Sequence, residues 1–187
     1  KLLIVGNYAE KGGGIYLEGA SPQISEVTVV QNDANIGASL YFSEGSNPVV
    51  RNSIFWTDVL EQIACNNTPL QESELNTLDL NYSNIGGSDL LLSIFNEDYD
   101  YDILPNYSTS DPLFIDPISN PDSTILDIPF SVEDLQFDYS LEATSTCLNT
   151  GDPSSGRDPD GTFYDRGAFY HEFNVGCTYP ENSANYD

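Results

Sequence analysis

The sequence predicts an all-β chain: a parallel β-helix (solenoid) of about three coils over residues 1–85, followed by an irregular acidic C-terminal cap. Three observations carry this expectation. A unit of about 25 residues recurs in the first third of the chain. Each unit holds short β-branched and aromatic runs with period two, broken by Gly, Ser-Pro or Asn-Pro. Helical spacing of apolar residues is nearly absent. A unit this short cannot hold a strand–helix–strand crossover, which takes about 30 residues. Successive units are therefore expected to stack coil on coil.

The first unit, residues 13–30, reads GGIYLEGASPQISEVTVV, and the second, residues 38–56, reads ASLYFSEGSNPVVRNSIFW. Ile15, Tyr16 and Leu17 return as Leu40, Tyr41 and Phe42, 25 residues on, and Ile24 returns as Val50, 26 residues on. Alternation along a strand sends Ile15, Leu17, Leu40 and Phe42 inward and Tyr16 and Tyr41 outward. Asn7 and Asn32, also 25 apart, are expected to stack at a turn, where Asn tolerates left-handed backbone. A degenerate third copy, residues 78–85, is placed beside residues 27–30 and 53–56, after an insertion at 57–77.

Composition sets the class of partner. The 187 residues carry 30 Asp and Glu against 5 Lys and Arg, a net charge of −25, and residues 95–187 hold 19 of those acids. Phosphate recognition needs clustered Lys and Arg, so a nucleic-acid partner is excluded, and docking on anionic lipid is disfavoured. Twelve per cent aromatic residues set the chain apart from a disordered acidic tail. No apolar stretch approaches the ~18 residues that span a membrane, so no membrane insertion is expected. The chain begins with Lys and reads as a piece of a longer precursor. One histidine and three scattered cysteines do not make a zinc site.

With GGGIYLEGASPQISEVTVVQN at 12–32 in view, the chain resembles bacterial right-handed parallel β-helix proteins of the pectate-lyase-like superfamily. The later motifs DLNYSNIG at 79–86, DPLFIDP at 111–117, FDYSLEATSTCLNTG at 137–151 and GDPSSGRDPDGTFYDRGAFY at 151–170 resemble the C-terminal part of the choice-of-anchor Q group. Thr146, where that group often has Pro, and the run 163–166 depart from its pattern. GCTYPENSANYD at 176–187 is similar to the opening of small surface-protein modules, whose second Cys would lie beyond the chain. The resemblance implies a right-handed coil, export to the cell surface, a cap over 86–170 and a tail over 171–187. On that reading Cys177 does not pair with Cys147, while a Cys65–Cys147 bridge stays open.

Candidate chemistry is sparse. Asp152, Asp158, Asp160 and Asp165 crowd into a short loop, and carboxylates at i and i+2 before a glycine can aim at one calcium ion. The alternative is an Asp-rich turn bonding its own backbone. The alternating acids of residues 96–102 form a second, weaker cluster. Tyr16 and Tyr41, with Trp56 at a strand end, offer an aromatic face on which an extended glycan could stack. No catalytic set is assigned: Arg51 lacks an acid beside it in sequence, Glu18 and Glu44 flank turn glycines, and His171 has no evident relay. The expected function is a non-catalytic, structural or adhesive surface module that contacts glycans or other surface proteins. The alternative is the C-terminal part of a polysaccharide lyase or glycoside hydrolase whose active coils lie upstream.

Overall fold

A computed structural model describes residues 1–57, 62–66, 76–86, 106–118 and 137–172. Among these residues every regular element is a strand, and all but one of the pairings between strands are parallel. Strands β1 (Leu2–Val5), β2 (Tyr8–Lys11), β3 (Ile15–Glu18) and β4 (Gln23–Ser25) each enter a different sheet. Strands β5 (Val27–Val30), β6 (Asp33–Ile36), β7 (Leu40–Ser43) and β8 (Val49–Arg51) pass through the same four sheets in the same order. Strands β9 (Ile54–Trp56), β10 (Ile63–Cys65) and β11 (Asp79–Asn81) re-enter the first, third and fourth, and β12 (Asn84–Ile85) returns to the first.

The register follows the repeat. Ile15 pairs with Leu40 and Leu40 with Ile63, while Ile24 pairs with Val50 and Val50 with Leu80. Two expectations are corrected here. The stretch 57–77 is not simply an insertion, because Ile63–Cys65 supplies the third strand of the sheet that holds Tyr16 and Tyr41. Its apolar pattern is only three residues long, too short to be read as a strand without its neighbours. Only Asn84 and Ile85 enter the sheet of the 27–30 and 53–56 strands, beside Ile54 and Phe55; residues 79–81 sit one strand earlier, beside 49–51.

Corners between strands are set by left-handed backbone. Glu26, Asn52 and Tyr82 have φ of 54°, 48° and 48° at the same corner of three successive passes, between the fourth sheet and the first. None is glycine, and a left-handed L-residue costs roughly 1–2 kcal/mol. The next residue supplies compensation. Ser53 Oγ accepts the Val27 amide at 3.3 Å and donates to Arg51 O at 2.7 Å. Ser83 Oγ does the same one pass on, accepting the Ser53 amide at 3.3 Å and donating to Asn81 O at 3.0 Å. At another corner glycine is obligatory: Gly12 and Gly37 have φ of 63° and 64°, and a Cβ there would lie 2.4 and 2.6 Å from the carbonyl oxygens of Ile15 and Leu40. The asparagine column forms, but the left-handed residue at each turn is the one before it, Gly6 (φ 68°) and Gln31 (φ 51°), not the asparagine. Asn7 Nδ2 donates to Asn32 Oδ1 at 2.9 Å, and Asn32 Nδ2 donates to Ile4 O and Val30 O.

Inside, Val29, Leu40, Phe42, Val50, Phe55, Ile63, Leu80 and Ile85 form one buried apolar cluster. Ile15 and Leu17 face it but are only half-buried, because β3 is the end strand of its sheet. The first sheet is covered on its outer face too. Ile54 packs there with Leu141, Cys147 and Leu148, and β13 (Phe114–Asp116) pairs antiparallel with β14 (Asp138–Leu141) alongside. Phe42→Ala should therefore cost about 3–5 kcal/mol. Leu17→Ala, at the half-open end, should cost clearly less, a difference that urea denaturation of the two variants measures.

Candidate functional site

The aromatic residues separate into two places. Tyr16 and Tyr41 are register partners whose rings stack at 5.4 Å between centroids with planes 17° apart. Tyr16 is 48% exposed and its hydroxyl donates to Glu18 Oε2. Tyr41 is 4% exposed, a correction to its expected outward exposure. Its ring is covered by Tyr16 on one side, Lys11 Nζ lies 5.1 Å from the ring centroid, and the next residue of the column, Ala64, is fully buried. Trp56 ends β9, in a different sheet, and packs against the Ile54–Leu141–Cys147–Leu148 cluster. The three residues therefore do not share one face.

Of the four cap aspartates, two close local turns. Asp152 Oδ1 accepts the Ser154 amide and hydroxyl, and Asp160 Oδ1 accepts those of Thr162. Burial pushes the Asp152 carboxyl upward, but the Ser154 hydrogen bonds and the Arg51 charge outweigh it, so its pKa is lowered. Asp158 and Asp165 are buried and joined. Asp158 Oδ2 accepts the Asp165 amide at 2.8 Å, and Lys1 Nζ stands 3.6 Å from Asp158 Oδ1. Asp165 accepts the Asn149 and His171 amides, each at 2.7 Å. Its pKa is raised, chiefly by burial; those two amides counter the shift and the charges of Asp158 and Asp160 add to it. Among the described residues no group of three or more His, Cys, Asp or Glu side chains is arranged to hold a metal ion. The acidic run 96–102, the tail 173–187 and Cys177 lie outside the described residues.

The fold supplies partners that spacing did not show. Arg51, read as lacking an acid, donates from Nη2 to Asp79 Oδ2 at 2.6 Å, one pass further along the stack. Glu18 pairs with Ser43, so Glu18 and Glu44 are out of register. His171 Nδ1 lies 3.0 Å from Leu141 O, a structural tie of its ring. Cys65 and Cys147 are buried free thiols, which corrects the open possibility of a bridge between them. Burial pushes the Cys65 thiol up to about 12 and raises that of Cys147, so both stay protonated at neutral pH.

The sequence assigns no role to Arg166. It is 7% exposed, and its guanidinium donates to three backbone carbonyls: Ser83 O and Asn106 O at 3.0 Å and Thr150 O at 3.2 Å. Burial lowers its pKa, with the Cys147 thiol acting in the opposite direction. Nothing local in sequence signals this, since the three carbonyls come from segments 16 to 83 residues away.

A cavity of about 240 Å³ opens where the ends of β5 and β9 meet the β13–β14 pair. Trp56, Phe114 and Tyr139 line it, with the carboxylate residues Asp111 and Glu142. In comparisons with protein-family models, curated proteins and solved structures, none matches the chain. Arg166→Lys replaces a planar fork by one ammonium that cannot reach all three carbonyls. It should cost roughly 2–4 kcal/mol by leaving buried carbonyls without donors, seen as a lower urea midpoint.

Proposed function

We propose that the chain is a rigid, non-catalytic module of an exported or cell-surface protein, built as a right-handed parallel β-helix with an irregular cap, that serves in adhesion and contacts glycans. The observation that supports it is the repeated passage of the chain through the same parallel sheets in 23- to 30-residue register. Such a stack is stiff, and it fixes surface side chains at strand spacing. Tyr16 is the residue to which glycan contact is assigned: its exposed ring is held flat by Tyr41 beneath it. A preordered aromatic plane loses little entropy when a sugar ring stacks on it. In affinity electrophoresis through a panel of soluble polysaccharides, at least one should retard the protein, and Tyr16→Ala should abolish most of that retardation. Unchanged mobility in every gel would end the glycan reading.

The second reading, the C-terminal part of a polysaccharide lyase or hydrolase, draws on one feature. Strands β1 to β4 each lie at the end of a sheet, with Ile4, Ile15 and Leu17 half-buried, which fits further parallel strands stacked on them. Depolymerisation of a polyuronate or neutral glycan by this chain alone would favour that reading over the first.

Calcium is a subsidiary part of the proposal. Asp158 and Asp165 are buried together, the charges of Asp158 and Asp160 both act on Asp165, and a cation there would relieve that like-charge repulsion. Calcium at a hundredfold excess over its Kd should stabilise by about 2.7 kcal/mol, sodium at equal ionic strength should not, and Asp160→Asn should shrink the difference. Equal melting shifts with both ions would leave these aspartates as turn formers.

A further inference from the structure

We infer that the cavity between the first sheet and the β13–β14 pair binds a small organic ammonium, of the size and charge of choline. This goes beyond the glycan reading and does not depend on it. Three aromatic side chains line the cavity: Trp56 from the end of β9, Phe114 from β13 and Tyr139 from β14. Phe114 and Tyr139 meet edge to face, with centroids 5.2 Å apart, so these two rings brace each other. Such rings attract a cation through their negative faces and gain little from an anion.

The polar lining has one sign. Asp111 and Glu142 contribute carboxylates and no Lys or Arg lines the cavity, in a chain whose net charge is −25. That field raises the local concentration of cations and repels acids. Asp111 is fixed by accepting the Leu113 amide at 2.8 Å, and the Glu142 backbone amide is held by Leu113 O at 2.8 Å. The segments just before β13 and just after β14, which carry these two residues, are thereby tied to each other.

The side-chain donors of Tyr139 and Gln31 on the wall are already used. The Tyr139 hydroxyl donates to Gln31 Oε1, and Gln31 Nε2 donates to Ile118 O. Burial pushes the Tyr139 hydroxyl up to about 12, so it stays a neutral donor. A sugar or an acid would ask this wall for donors. An alkylammonium asks only for ring faces, negative charge and a space that admits it, and about 240 Å³ is ample for choline.

Trp56 is the single tryptophan of the chain, so its fluorescence reports on this cavity alone. The protein is titrated with choline chloride, with the uncharged isostere 3,3-dimethyl-1-butanol and with glucose, all at ionic strength held constant with sodium chloride. Choline should give a saturable change, and the isostere should bind at least about tenfold more weakly. Glu142→Gln, at an exposed position where folding is not at stake, should weaken choline severalfold and leave the isostere unmoved. No saturable response to choline, or equal affinity for choline and its isostere, would overturn the assignment. Saturation by glucose without choline would hand the cavity to sugars.

Discussion

Everything in this molecule hangs on the parallel register between successive passes of the chain. An isolated three- or four-residue strand is not stable in water, and here most strands are that short. Each becomes stable only by pairing with the equivalent strand of the next pass, which places apolar side chains of the same type above one another. Leu40 lies between Ile15 and Ile63, and Val50 between Ile24 and Leu80. A slip of one residue would turn Leu40 and Phe42 outward and Tyr41 inward. The corners guard against that slip. Left-handed Glu26, Asn52 and Tyr82 stand at one corner, and the hydroxyls of Ser53 and Ser83 link the passes there.

The segment 150–168 docks on the same corners. Asn52 accepts the Gly167 amide on its carbonyl at 2.9 Å and the Asp152 amide on its side chain at 2.6 Å. Thr28, on the outer face of the first sheet, accepts the Ala168 amide at 2.8 Å. Gly167 lies so close that a Cβ would sit 2.8 Å from Thr28 Oγ1 and 2.9 Å from an Ile54 methyl. Arg166, between these contacts, collects carbonyls from three segments. The motif Asp-Arg-Gly-Ala at 165–168 is therefore a docking device. Asp165 ties the loop to itself, Arg166 gathers distant backbone, and Gly167 and Ala168 lie against the sheet.

Charge and apolar surface are divided in a way that bears on partners. The chain is strongly acidic, with a net charge of −25, while the aromatic residues occur in two separate settings. Tyr16 is an exposed ring on the end strand of its sheet, suited to a flat ligand. The Trp56 cavity is open to solvent and lined by rings and acidic residues, the features from which a small cation is proposed. Two settings of such different shape and electrostatics do not call for one ligand.

What the sequence determined by itself was the spacing. Asn7 and Asn32, Ile15 and Leu40, and Ile24 and Val50 are register partners or stacked neighbours because like residues recur at the period of the stack, and that period is legible in a linear string. The all-β character and the inward direction of Leu40 and Phe42 follow from the same signal. Tertiary structure alone decided what depends on distance across the chain. Ile63–Cys65 is a strand only because Leu40–Phe42 offers an edge, Arg51 finds its acid in Asp79 one pass later, and Tyr41 is buried because Tyr16 and the chain around Ala64 enclose it. The described lining of the Trp56 cavity comes from four stretches, at residues 30–31, 56–57, 111–117 and 139–142, whose meeting no local pattern encodes. Periodicity records which residues repeat; burial and partnership depend on which surfaces then meet, and those are set by packing of the whole.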